Sequence, residues 1–309
     1  MLTATRINTT TVKEHHYEGF RYESRFSPYG CNSPDNTGSS EPTLFPVVLI
    51  GGAFQRKEDW GRIEKGLLMH ADVLAVDLPG WGAGDLLPPE YDIDFLTHAL
   101  IRLLDDYGLT RINVLAGSYG TAIGYRLGQL RPDLLERMVL IGTMPAIPDD
   151  IRPAVYEGIE HALAGRKEEF AAMSLQWLTT RKEGVTVKML NVIRRILWGR
   201  LVAIEDAEID KFVANTRRLL EPNLIDTTVG PQAPILFGVG EHDTFTPPHL
   251  CRSLAQTCPS AQFVQIKESD HLIHLERPGD LVDLAVRFYH RIPVGDAPYL
   301  LGVEEPATK

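Results

Sequence analysis

At 309 residues the chain is longer than one hydrophobic core usually serves, so one large domain with an insertion, or two domains, is expected. A composition 44% apolar and 23% charged excludes pervasive disorder. A formal net charge of −10 argues against nucleic acid or an anionic membrane as the main partner, and no apolar run approaches the roughly 18 residues of a membrane span.

Cys31, Cys251 and Cys258 are odd in number and show no C-x-x-C spacing. A disulfide framework or zinc site is not expected, and a reducing, cytoplasmic setting fits best. Residues 1–12 are Thr-rich and lack the apolar stretch of a secretory signal.

Along residues 1–28, Tyr17, Phe20, Tyr22 and Phe26 are spaced as in an edge hairpin. Residues 29–43, dense in Gly, Ser, Asn, Asp and Pro, read as a surface loop. The run 45–50 is wholly apolar and ends at Gly51-Gly52, the pattern of a central parallel strand closed by a tight turn. A second run, 71–77, is closed by Leu78-Pro79-Gly80-Trp81-Gly82. Leu96, Ala99, Leu100, Leu103, Leu104 and Tyr107 then recur at helical spacing, with Asp92 or Asp94 available as N-cap. Residues 112–117 form a third apolar run, a helix follows Ser118, and 135–141 is a further strand. Such strict alternation predicts a parallel sheet covered by helices on both faces.

From Pro145 to about Ile225 the alternation lapses. Apolar residues recur at intervals of three and four, which predicts helices inserted between two strands. The α/β pattern resumes with a strand at 234–239, a helix at 247–257, a strand at 262–266 and a last helix entered through Pro278. The tail from Ile292 carries no clear pattern.

The chemistry-bearing stretch is Ala116-Gly117-Ser118-Tyr119-Gly120. An apolar strand stops at a serine, a helix begins at once, and small residues stand two positions to either side, as a strained nucleophile elbow requires. Ala116 occupies a position where Gly is usual. A Gly-rich turn with Ser118 as a cap would read the same way locally. In parallel sheets ligand groups gather beyond the carboxyl ends of strands, and Asp243 and His271 each fall just past a predicted one. Glu241 and, less favourably, Asp149 or Asp150 compete as the acid, and His274 as the base. His271 would take the Ser118 proton and Asp243 would orient the imidazole. Oxyanion charge would meet the backbone N–H of Tyr119 and a second donor after Gly52, Ala53 or alternatively Phe54.

On the stretches Leu49-Ile50-Gly51-Gly52, Asp77-Leu78-Pro79-Gly80-Trp81-Gly82, Ala116 to Gly120, Gly240-Glu241-His242-Asp243 and Asp270-His271 with Glu276-Arg277-Pro278, the chain resembles the α/β-hydrolase superfamily in its lidded, serine-nucleophile branch. The resemblance implies an eight-stranded, mostly parallel sheet, a core of residues 1–144 and 226–309, and a helical cap of 145–225. Gly51-Gly52 replaces a usual His-Gly, Gly84 stands where Ser is common, and Asp270 stands where Gly often precedes the histidine. A serine at 118 separates the chain from the dehalogenase and epoxide-hydrolase branches, which use aspartate.

The expected activity is cleavage of an ester, thioester or lactone through an acyl-enzyme. An apolar acyl group would sit among Phe54, Trp177, Trp198 and Phe212, with Phe170 as a further cap aromatic. Acyl transfer or cyclisation, carbon–carbon bond hydrolysis, and a non-catalytic small-molecule receptor are the alternatives. No metal or cofactor is implied: Gly80, Gly82 and Gly84 follow Pro79 and lead to Pro88-Pro89 rather than a helix. The expected partner is a small-molecule substrate.

Overall fold

The computed structural model describes residues 9–31, 41–222 and 224–305. Residues 1–8 and most of the polar stretch expected as a surface loop at 29–43 lie outside the described residues. Among the described residues one sheet runs β1 (Thr11–Tyr17), β2 (Phe20–Ser27), β3 (Val47–Ile50), β4 (Val73–Asp77), β5 (Ile112–Gly117), β6 (Leu135–Ile141), β7 (Ile235–Gly240), β8 (Ala261–Ile266) and β9 (Leu300–Glu304). Its spatial order is β1-β2-β4-β3-β5-β6-β7-β8-β9. Strands β3 to β8 are parallel, while the β1–β2 hairpin and β9 join antiparallel at the edges. The sheet thus has nine strands rather than the eight that the resemblance implied, because the unpatterned tail returns to pair Val303 with Val264.

The apolar runs form central strands because helices cover both faces. Alternate side chains divide between two cores. Val48, Ile50, Val114 and Ala116 pack with Leu96, Leu100 and Leu103 of α2 (Ile93–Asp106) and Ile123 of α3 (Gly120–Leu130). Val47, Leu49 and Leu115 pack instead with Ile63 and Leu67 of α1 (Gly61–Leu67) and Leu281, Leu284 and Phe288 of α10 (Pro278–Tyr289). Of the two acids proposed to cap α2, Asp92 does so, accepting from the Phe95 N–H at 2.9 Å. Each fully buried aliphatic side chain contributes about 1.5–3 kcal/mol, so these two layers carry most of the stability.

Between β6 and β7 lie α4 (Arg152–Leu163), α5 (Lys167–Leu178), α6 (Leu190–Val202) and α7 (Asp206–Leu219). They enclose a third apolar cluster that includes Ile159, Phe170, Leu201, Ile209 and Val213. The helices α8 (Pro248–Ala255) and α9 (Ile273–Glu276) complete the set.

Candidate active site

Strand β5 delivers Ser118 at the carboxyl end of the sheet with φ 48°, a left-handed conformation that costs a non-glycine residue roughly 1–2 kcal/mol. The turn closes because α3 packs directly on the end of β3. A Cβ at Gly120 would sit 2.5 Å from the Ile50 carbonyl oxygen and 2.7 Å from that of Gly51. The Ala116 methyl is tolerated because it faces Gly124 of α3, where even an added Cβ would lie 3.4 Å away.

Ser118 Oγ lies 3.0 Å from His271 Nε2, and His271 Nδ1 lies 3.0 Å from Asp243 Oδ2. Each group comes from a different strand end: β5, β8 and β7. Asp243 Oδ1 accepts from the N–H groups of Phe245 (2.9 Å) and Thr246 (2.7 Å), and Oδ2 accepts from the Thr246 hydroxyl (2.6 Å). Burial alone would raise the Asp243 carboxyl, but the His271 charge and hydrogen bond and the Thr246 donors reverse this and hold it below the usual carboxylate range. Burial likewise works against charge on His271, and Asp243, with Asp270 and Glu276 behind it, wins and raises its affinity for a proton. Such a line can pass a proton from a hydroxyl to an imidazole and hold the resulting cation.

The competing acids are engaged elsewhere. Glu241 accepts from the Glu268 N–H at 3.0 Å, and Asp149 is solvent-exposed and pairs with Arg152 at 3.0 Å. His274 stands in the cavity wall rather than beside Ser118, and burial followed by the His271 charge pushes it down to about 4.

The turn after β3 approaches the serine from the other side. A Cβ at Gly52 would fall 3.0 Å from Ser118 Cβ, which explains why glycine ends this run. Gly52 donates to Gln55 Oε1 (3.1 Å) and accepts from Trp81 Nε1 (3.1 Å). Trp81 also sets its ring edge-on to Tyr119, centroids 4.7 Å apart, and so ties the two turns together. The backbone N–H groups of Ala53, Phe54 and Tyr119 donate to no partner among the described residues. Phe54 adopts φ 63°.

A cavity of about 260 Å³ opens above Ser118 and His271. Phe54, Phe170, Trp177, Phe212 and Phe245 line it; Phe54 stacks on Phe212 with centroids 4.7 Å apart and planes 13° apart. Of the four aromatics named as substrate contacts, Trp198 is the exception. It is 40% exposed and does not line the cavity. Helix α6 turns Leu197, Arg200 and Leu201 toward the cavity, which leaves Trp198 facing solvent.

Two contributors, Thr246 and Arg218, escape the sequence pattern, and a third, Asp270, stands out there only as a departure from the usual glycine. Thr246 fixes Asp243. Arg218, 1% exposed on α7, donates to the Tyr119 hydroxyl (3.2 Å), Asn215 Oδ1 (2.7 Å), and the carbonyls of Leu87, Pro88 and Tyr91. Asp270 is buried beside His271 and accepts from the Thr180 N–H of the α5–α6 connection, which accounts for an acid where glycine is usual. Trp81 lies inside one of the motifs that carry the family resemblance.

Known proteins share this scaffold. A profile described as the alpha/beta hydrolase fold matches residues 46–278. The sn-1-specific diacylglycerol lipase ABHD11 of Mus musculus is 22% identical over 82% of this chain and 83% of its own. A pimeloyl-[acyl-carrier protein] methyl ester esterase of Pseudoalteromonas atlantica is 26% identical over 74% and 89%. Among solved structures, an alpha/beta hydrolase enzyme from a Medee basin deep-sea metagenome library superposes with TM-score 0.76 at 16% identity, covering 91% of this chain and 98% of that one. The enol-lactonase of Burkholderia xenovorans gives 0.69 at 22% identity over 86% and 96%. The matched profile covers most of the chain, from β3 to the start of α10, and on that ground the chain belongs to the alpha/beta hydrolase fold family and is a hydrolase.

Proposed function

We propose that Ser118, His271 and Asp243 act as a catalytic triad that cleaves an ester, thioester or lactone with an apolar acyl group. The observation carrying this reading is the position of His271, 3.0 Å from Ser118 Oγ on one side and 3.0 Å from Asp243 on the other. His271 takes the hydroxyl proton as Ser118 attacks the acyl carbon, then returns it to the leaving group. Asp243 holds the Nδ1–H tautomer and stabilises the imidazolium. The N–H groups of Tyr119 and Ala53 receive the negative charge that develops on the acyl oxygen. Water, deprotonated by His271, then releases the acid and restores the serine.

Residues 145–225 serve as a cap on a core of 1–144 and 226–309. Phe54, Trp177 and Phe212 contact the acyl group, a reading supported by the aromatic lining of the cavity. The cleavage of esters and lactones by proteins of this fold agrees with it. Labelling by a fluorophosphonate probe, with turnover of a panel of p-nitrophenyl esters, acyl-thioesters and lactones, tests the assignment. Label and turnover should both vanish in Ser118→Ala; undiminished turnover in that variant overturns the triad. Hydrolysis in oxygen-18 water should place label in the released acid, and its absence would assign acyl transfer instead.

A further inference from the structure

Helix α6 is apolar on two sides. Its inner side buries Ile193 and Leu201 and presents Leu197 to the cavity. One flank carries Val192 and Ile196, continued by Met189 just before the helix, at intervals of three and four; these are 38%, 51% and 51% exposed. A helix packed on a domain ordinarily keeps its large apolar side chains inward; this one leaves three of them, at its start and along one flank, in solvent.

The charges around it are as uneven as the hydrophobicity. Residues 181–200 hold six basic side chains, Arg181, Lys182, Lys188, Arg194, Arg195 and Arg200, against the single acid Glu183, in a chain whose net charge is −10. Arg194 is turned inward to Thr179 and Thr180, and Arg200 reaches Asp59 at 3.1 Å. Arg181, Lys182, Lys188 and Arg195 are exposed. By helical periodicity Arg195 and Arg200 border the Met189–Val192–Ile196 stripe on opposite sides. An apolar stripe edged by arginines is the arrangement that lies in the plane of a lipid–water boundary, and each basic group near an anionic surface adds to the attraction. A two-fold contact with a second copy would set this basic segment against itself. Arg200, which borders the stripe, also lines the cavity, so the patch and the cavity adjoin.

We propose that α6 and the connection before it dock on an anionic lipid surface, with the cavity opening onto that surface so that lipid-dissolved esters enter it directly. Docking stands apart from the proposed triad; delivery to Ser118 rests on it. Among the described residues no helix is long and apolar enough to cross a membrane, so the contact is peripheral.

Co-sedimentation of the full chain with phosphatidylcholine vesicles, with and without phosphatidylglycerol, tests the docking. Binding is expected to the anionic vesicles and to weaken as salt rises. Ile196→Asp and Arg195→Glu should each weaken partitioning about tenfold while turning over soluble p-nitrophenyl esters as the wild type does. Ser118→Ala should bind vesicles normally, so a failed triad leaves this result standing. No binding to either vesicle overturns the proposal. Undiminished binding by Ile196→Asp also overturns it and indicates a purely electrostatic contact, such as an acidic protein.

Discussion

The strand ends and the inserted helices solve different problems with the same amino acids. At the strand ends, position is fixed by backbone: glycines pressed against carbonyls, a strained Ser118, and an Asp243 satisfied by three donors besides His271. In the insertion, large apolar side chains such as Tyr156, Leu163 and Ile196 stand in solvent. The first region is built to keep one geometry and the second to present surfaces. Changes at the strand ends should therefore alter the rate for every substrate, and changes in the insertion should alter which substrates are preferred.

The sharpest break of that contrast is Ser118→Ala, which should lower kcat by about 10⁴–10⁶ on all esters alike while leaving far-UV circular dichroism intact. Gly52→Ala places a methyl 3.0 Å from Ser118 Cβ and should cost about 10²-fold in kcat, again without regard to acyl chain, since an ångström of misplacement is worth that much. Phe212→Ala should behave in the opposite manner. Loss of its stack on Phe54 is expected to reduce kcat/KM about tenfold for long or aromatic acyl esters and to leave acetyl esters nearly unchanged. An equal loss on both classes would erase the distinction between the regions.

The smallest effect concerns pH. Burial, chiefly, raises Glu276 to about 8 and Asp270 to about 6. Both lie above the values of an unfolded chain, so the unfolded state is the one that holds fewer protons between those limits. Their contribution to stability is complete at low pH and is lost as pH rises through about 6 and then about 8. Thermal melts should show Glu276→Gln, which keeps an acceptor for the Asp270 N–H, losing roughly 2–4 °C less than wild type between pH 6 and 9.

The sequence disclosed what backbone continuity dictates. Ser118, Asp243 and His271 each follow a strand-like, largely apolar run that ends at a turn, and that punctuation places them at the same edge of a parallel sheet. What it concealed depends on direction around a helix or on distant pairing. Trp198 sits in a helix that is apolar on two sides, so periodicity could not tell the cavity side from the solvent side. Arg217 and Arg218 are neighbours of one chemistry, yet the first is exposed and the second buried; what distinguishes them is the set of acceptors around Arg218, from the 87–91 loop, Tyr119 and Asn215. Strand β9 is short, includes Gly302, and is defined by partners in β8 rather than by its own alternation.

The burial of Arg218 bears on how the molecule comes apart. Its guanidinium is shared among three loop carbonyls, the hydroxyl of Tyr119, next in sequence to Ser118, and an amide on its own helix. Asn215 and Lys211 of the same helix add bonds to the Gly80 and Gly82 carbonyls. Peeling α7 away would surrender all of these contacts together. Partial detachment has no favourable stopping point, so the insertion and the sheet should melt in one cooperative transition rather than as separate folding units.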